Sequence, residues 1–70
     1  MDKEALLKHI GNRIKEIRTA SQVTQQELAA LCDFEKSNMS RIETGKSNFT
    51  VGTLLKIATA LNVQVSDLIN

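Results

Sequence analysis

Apolar residues recur at helical spacing along most of this chain, and that pattern constrains its fold more than any other feature. The clearest examples are the triplets Ile10, Ile14, Ile17 and Leu54, Ile57, Leu61. Residues three and four positions apart lie on one face of an α-helix. The 70 residues include no proline that would interrupt such helices. The sequence therefore predicts an all-α fold.

A capping box gives the strongest local signal. The Thr24 hydroxyl can accept a hydrogen bond from the backbone N–H of Glu27, and the Glu27 carboxylate can accept one from the N–H of Thr24. Val23 and Leu28 occupy the positions of a hydrophobic staple around this box. A helix is therefore expected to begin here and to run to about Cys32, with Leu31 or Cys32 facing inward.

Turn signals divide the rest of the chain. Gly45 is suited to end a helix, Thr50 to cap the next one, and Asn62 to end that one. The first helix starts at Asp2 or, because Gly11 interrupts its apolar stripe, near Gly11. The expected helices are 2–20, 24–32, 35–44, 51–61 and 66–69.

Length and composition exclude several classes of protein. Seventy residues predict a single domain, 1–70. One cysteine and one histidine cannot form an intrachain disulfide or a zinc site with about four ligands, so no metal or cofactor is expected. No apolar run approaches the ~18 residues of a membrane span, and the charged N-terminus lacks a signal core. A cytoplasmic protein without a membrane partner is expected.

The surface of the third helix carries the functional signal. Met39 and Ile42 are its apolar positions. The opposite face combines two cations, three hydroxyls and no acid: Lys36, Ser37, Ser40, Arg41 and Thr44. Arginine and lysine can donate to guanine acceptors in a major groove, and serine can donate or accept. The residues alone fit an ordinary solvated face equally well, and the net charge of +1 does not by itself mark a nucleic-acid binder.

Three segments resemble one family. In order they are Thr24-Gln25-Gln26-Glu27-Leu28-Ala29, Ser40-Arg41-Ile42-Glu43-Thr44-Gly45-Lys46 and Thr53-Leu54-Leu55-Lys56-Ile57-Ala58. Together they resemble the Cro/phage-repressor-type (Xre-like) helix-turn-helix regulators. The resemblance implies a five-helix lambda-repressor-like DNA-binding domain, in which the second and third helices form the motif at about 24–44.

The resemblance also implies roles for particular residues. It implies base reading by Lys36, Ser37, Ser40 and Arg41, and phosphate contacts by Arg13, Gln25, Thr44 and Lys46. It pairs Arg18 with Glu43 in a structural ion pair between the first and third helices. Lys8 is expected to be a solvated helix position.

The chain departs from the family pattern in the motif. Asp33 stands where the turn usually has glycine, and Gln22 replaces a frequent glycine after the first helix. Glu35 stands where a short capping residue is usual, and it places a negative charge near DNA. Glu35 could accept a hydrogen bond from a cytosine amino group, or it could simply lower the affinity.

The function expected from these features is sequence-specific binding of double-stranded DNA by a regulator, most simply a repressor, which acts as a homodimer on a two-fold operator. Its location would be the cytoplasm and, when bound to DNA, the nucleoid. Apolar residues near the C-terminus are expected to form the dimer surface: Val63, Val65, Leu68 and Ile69. The alternative is an antitoxin whose main partner is a toxin protein. Without a phosphate-binding loop or a nucleophile–base pair, no enzyme is expected.

Overall fold

The computed structural model describes residues 2–70, which form five helices. These are α1 (Lys3–Ala20), α2 (Gln25–Leu31), α3 (Lys36–Glu43), α4 (Val51–Leu61) and α5 (Val65–Ile69). Met1, the first residue of the expected domain, lies outside the described residues. Within residues 2–70, no helix has the length and apolar character required to cross a membrane.

Helix α1 takes the longer of its two expected forms. It begins at Lys3, and the Asp2 carboxylate caps it by accepting a hydrogen bond of 2.8 Å from the backbone N–H of Ala5. Gly11 lies inside this helix, at the point where α3 crosses it. A Cβ atom on Gly11 would lie 2.5 Å from the carbonyl oxygen of Ile42 and 2.6 Å from that of Glu43. The glycine therefore allows two backbones to approach each other closely.

The predicted capping box is confirmed at the start of α2. The N–H of Glu27 donates to the Thr24 hydroxyl at 3.0 Å, and the N–H of Thr24 donates to the Glu27 carboxylate at 2.9 Å. The backbone N–H of Thr24, and secondly its hydroxyl, hold the pKa of Glu27 below its ordinary value. Thr50 likewise caps α4 by accepting from the N–H of Thr53 at 3.2 Å, as predicted.

Four helices end in the same way, although only one of them ends at a glycine. The residues after α1, α2, α3 and α4 with positive φ are Gln22 (60°), Asp33 (59°), Gly45 (76°) and Asn62 (59°). At each site, paired backbone hydrogen bonds run back to the last turn of the helix, as Gly45 N to Ile42 O and Lys46 N to Arg41 O do. These are Schellman motifs. Gln22 and Asp33 adopt the left-handed conformation that glycine adopts at lower cost.

The core is built from all five helices. Its fully buried large side chains are Ile14, Leu28, Met39, Ile42, Ile57 and Leu68. Cys32 is buried with them and Leu31 is 65% exposed, so the cysteine is the inward residue of that pair. Burial raises the pKa of the Cys32 thiol, which matches the behaviour of a small apolar residue.

Leu68 was expected on a dimer surface, and this expectation is wrong. Its side chain is 0% exposed and lies in the core of its own protomer. Helix α5 packs against α1 and α4, so its apolar stripe is used within the chain. Val63 and Val65 are half-buried against the same core, and only Ile69 of the expected set is exposed, at 40%. A charge at Leu68 would therefore report on folding rather than on association.

Candidate nucleic-acid interface

Helix α3 has a fixed side and a free side. On the fixed side, Met39 and Ile42 are 0% and 1% exposed, as the sequence predicted. On the free side, Lys36, Ser37 and Arg41 are exposed to solvent. No other segment among residues 2–70 covers these three side chains. The free side can therefore approach a partner without any rearrangement of the fold.

Ser40 and Thr44 lie at one edge of the free side, next to α1. Ser40 is half-buried, so it departs from the fully exposed strip that the sequence suggested. The Thr44 hydroxyl donates to the carbonyl of Ser40 at 3.0 Å and also lies 3.2 Å from that of Arg41. In this conformation the Thr44 hydroxyl proton is used inside the helix, and only the oxygen lone pairs face outward.

A buried ion pair holds α3 in this orientation. Arg18 Nε and Nη2 donate to the two carboxylate oxygens of Glu43 at 2.7 and 3.0 Å. Arg18 Nη1 also donates to the carbonyl of Val23 at 2.8 Å, just before α2. Arg18 is 8% exposed and Glu43 is 4% exposed. One guanidinium group therefore joins α1, the start of α2 and the end of α3, which fixes the angle of the two motif helices.

Gln25 belongs to this same network. Its Nε2 donates to Glu43 at 3.1 Å, so the amide group gives the carboxylate a further hydrogen bond from the first turn of α2. The side chain remains half-buried at the surface, beside Ser40 and Thr44. Lys46, which follows the end of α3, is exposed.

Arg13 lies apart from the other residues expected to bind phosphate. Its Nε donates to the carbonyl of Asp67 in α5 at 3.1 Å. His9, one turn earlier, places Nε2 2.8 Å from the carbonyl oxygen of Ile69. These two side chains bind the last turn of α5. They therefore occupy the side of α1 that faces away from α3.

The opposite side of α1 borders a cleft that the sequence interpretation missed. The cleft has a volume of about 420 Å³ and is lined by Lys8, Asn12, Lys15, Gln25, Ser40, Glu43 and Thr44. Lys8 is an exposed helix residue, as expected, and it also lines this cleft. The spacing of Lys8, Asn12 and Lys15, at i, i+4 and i+7, was the available signal, because these positions share one helix face.

Glu35 precedes α3 without capping it. Its side chain makes no capping hydrogen bond, although its carbonyl accepts from the N–H groups of Asn38 and Met39. The exposed carboxylate therefore lies at the start of α3, where its charge complements the helix dipole.

Residues 13–70 match the sequence profile of the Cro/C1-type helix-turn-helix DNA-binding domain. The chain belongs to this family. Its all-helical fold agrees with solved structures of family members. The restriction-modification controller protein C.AhdI from Aeromonas hydrophila superimposes with a TM-score of 0.88 at 36% identity, covering 91% of this chain and 97% of that one. The helix-turn-helix of this Cro/C1-type domain is formed by α2 and α3.

Relatives with assigned roles are regulators. The control protein C.BamHI of Bacillus amyloliquefaciens is 36% identical over 61 residues, which cover 86% of this chain and 75% of that protein. The immunity repressor of Bacillus phage phi105 is 37% identical over 60 residues, which cover 86% of this chain and 42% of the repressor. These names give no support to the antitoxin alternative.

Proposed function

We propose that this Cro/C1-type domain binds duplex DNA sequence-specifically as a homodimer and represses transcription from the operator that it occupies. The observation that carries the proposal is the free side of α3, which stands exposed while the opposite side is anchored by Met39, Ile42 and the Arg18–Glu43 ion pair. A helix held in this way can enter a major groove as a rigid body, because its orientation is already fixed by the core.

Each residue of the free side has a defined capacity in the groove. Arg41 and Lys36 donate to the O6 and N7 acceptors of guanine, and Ser37 donates or accepts. Ser40, at the edge of the strip, reaches bases only on the side nearest α1. Gln25, Thr44 and Lys46 would contact phosphates. For Thr44 this requires its hydroxyl to exchange a backbone carbonyl for a phosphate oxygen.

The length of α3 explains why two copies are needed. Its 8 residues extend over about 12 Å, which matches only about four base pairs. A two-fold dimer doubles the site and places half-site centres about 34 Å apart. Because Leu68 is buried, we assign the dimer contact to the remaining apolar residues near the C-terminus. These are the exposed Ile69 and the outer parts of Val63 and Val65.

Sedimentation of two variants tests this surface. Ile69→Glu should convert a dimer into monomers because it places a charge in the contact. Leu55→Glu is the matched control, since Leu55 is an exposed apolar residue of α4 at 57%. Dissociation by Leu55→Glu alone would move the contact to the outer side of α4 and contradict the assignment to Ile69. Circular dichroism checks that both variants fold.

Repression follows most simply from occupation of an operator that overlaps a promoter, and the phage immunity repressor and control-protein relatives support a regulatory role. The proposal includes no catalytic activity. Under this proposal the protein works in the cytoplasm, on nucleoid DNA.

Duplexes selected from a random pool test sequence-specific binding directly. Fluorescence anisotropy should give an affinity at least about 10³-fold higher for the selected duplex than for bulk random DNA at the same salt concentration. A ratio near one would contradict sequence-specific recognition. In vitro transcription from a promoter that overlaps the selected site should fall as protein is added, and an increase would contradict repression.

A further inference from the structure

The cleft between α1 and α3 lies directly beside the free side of α3. Two glycines beside it allow α1 to approach the end of α3: Gly11 accommodates the Ile42 and Glu43 carbonyls, and Gly45 accommodates Lys8. A Cβ on Gly45 would lie 2.7 Å from Lys8 Cγ. This close packing brings a polar face of α1 into line with the edge of α3.

The charge of the cleft is positive. Its acid, Glu43, is already neutralised by Arg18 and hydrogen-bonded by Gln25. Its two cations are Lys8 and Lys15. The Lys8 ammonium lies 3.9 Å from the Glu4 carboxylate, but this is an exposed pair of little strength. Lys15 forms no ion pair within residues 2–70. Two ammonium groups are therefore able to bind an anion here.

The position of the cleft indicates which anion would bind there. Ser40 and Thr44 line the cleft and also belong to the edge of α3 that faces α1. When α3 occupies a major groove about 12 Å wide, the sugar-phosphate backbone runs along the edges of that groove and therefore beside the helix. A phosphate of the same duplex would then face Lys8, Asn12 and Lys15.

We infer that Lys8, Asn12 and Lys15 form a second phosphate-binding row on α1, which holds the DNA backbone at the edge of the groove that α3 reads. This inference rests on the proposed binding of DNA by α3. The two lysines supply charge, and the Asn12 amide supplies a directional donor. The row is independent of sequence, because phosphates carry no base identity. It fixes the register of α3 in the groove.

Salt dependence provides the test. Each phosphate neutralised by a lysine contributes about 0.9 to the slope of log K against log salt concentration. Lys8→Gln and Lys15→Gln should each lower the magnitude of the slope per protomer by about that amount, and the double variant by about twice as much. The effect should be equal on a selected duplex and on random DNA. Asn12→Ala should weaken binding at every salt concentration without a change of slope.

Lys56→Gln is the matched control. Lys56 is an exposed cation on α4 whose ammonium lies 5.6 Å from the centre of the Phe34 ring, and it does not line the cleft. Its removal changes the net charge equally but should leave the slope unchanged. An unchanged slope in both Lys8→Gln and Lys15→Gln, while the wild type binds DNA, would overturn the inference and leave the proposed function intact. An equal loss in Lys56→Gln would also overturn it, by showing a general charge effect. Failure of the wild type to bind DNA would overturn both proposals.

Discussion

The two sides of α3 differ in burial, charge and hydrogen bonding, although the whole helix has only eight residues. Met39, Ile42 and Glu43 are between 0% and 4% exposed, and they fix the helix in the core. Lys36, Ser37 and Arg41 face solvent, and their side chains make no hydrogen bond within residues 2–70. The inner side of this short helix therefore contributes to the stability of the fold, and the outer side is free for the proposed contact with DNA. Substitutions on the inner side should change the free energy of unfolding, and those on the outer side should change DNA affinity.

The largest expected effect comes from breaking the inner side at Glu43. Glu43→Ala leaves the Arg18 guanidinium buried with only the Val23 carbonyl as a partner, and loss of one member of a buried pair costs about 3–5 kcal/mol. Urea unfolding measures the loss. Glu16→Ala, an exposed acid on α1, is the control and should change stability little. Equal unfolding midpoints for Glu43→Ala and the wild type would show that the pair does not hold α3.

A second substitution tests the close approach behind α3. Gly11→Ala should destabilise the fold by about 1–3 kcal/mol, because the added methyl group meets two α3 carbonyls. An ordinary helical site would instead gain up to about 1 kcal/mol from this change. Gly52→Ala in α4 provides that comparison, since its Cβ would lie no closer than 3.5 Å to the nearest atom, Thr50 Oγ1. Thermal melts of both variants show whether each substitution raises or lowers the stability of the fold. If both raise it, the structural role given to Gly11 is contradicted.

On the outer side, Arg41→Ala should leave unfolding unchanged and cost about 1–3 kcal/mol in affinity for a selected duplex. Its affinity for random DNA should fall much less, because the lost contact reads a base. Lys46→Ala should weaken selected and random DNA alike, as expected for a phosphate contact. Anisotropy titrations at one salt concentration measure both variants. Equal losses on both kinds of DNA for Arg41→Ala would make Arg41 a phosphate contact.

The smallest effect concerns the capping box, which supports α2 and touches neither side of α3. Because the folded-state pKa of Glu27 is lowered, its charge contributes stability above the pKa of the unfolded chain, and this contribution is lost as pH falls through the folded-state pKa. The difference in Tm between the wild type and Glu27→Gln should be greatest near about pH 7 and should shrink steadily as the pH falls below the ordinary pKa of glutamate. A difference that grows towards acid pH would contradict the assigned direction.

Local patterns predicted most of this fold because the relevant interactions are short in sequence. The Thr24–Glu27 box and the Thr50 cap involve residues three positions apart, and the burial of Met39 and Ile42 follows from helical spacing. Packing between segments that are distant in the sequence was harder to predict. Leu68 has the apolar character of a dimer contact, but only the docking of α5 on α1 shows that the core already uses it.

The candidate site divides in the same way. The free side of α3 follows from the period of one helix, whereas the cleft depends on the approach of two helices through Gly11 and Gly45. Arg13 and Lys15 are two positions apart in sequence, so they lie on different sides of α1. Arg13 binds the end of α5, and Lys15 lines the cleft. Helical spacing separates the two cations, but only the position of α5 shows that Arg13 already has a partner.

Selection of binding sites from random duplexes by the wild type and by Arg41→Ala tests the central claim most directly. The wild type should enrich a two-fold sequence with half-sites centred about 34 Å apart. Arg41→Ala should enrich the same sequence with preference lost at one base pair in each half-site. Recovery of an identical sequence at every position by both proteins would contradict base reading from the outer side of α3.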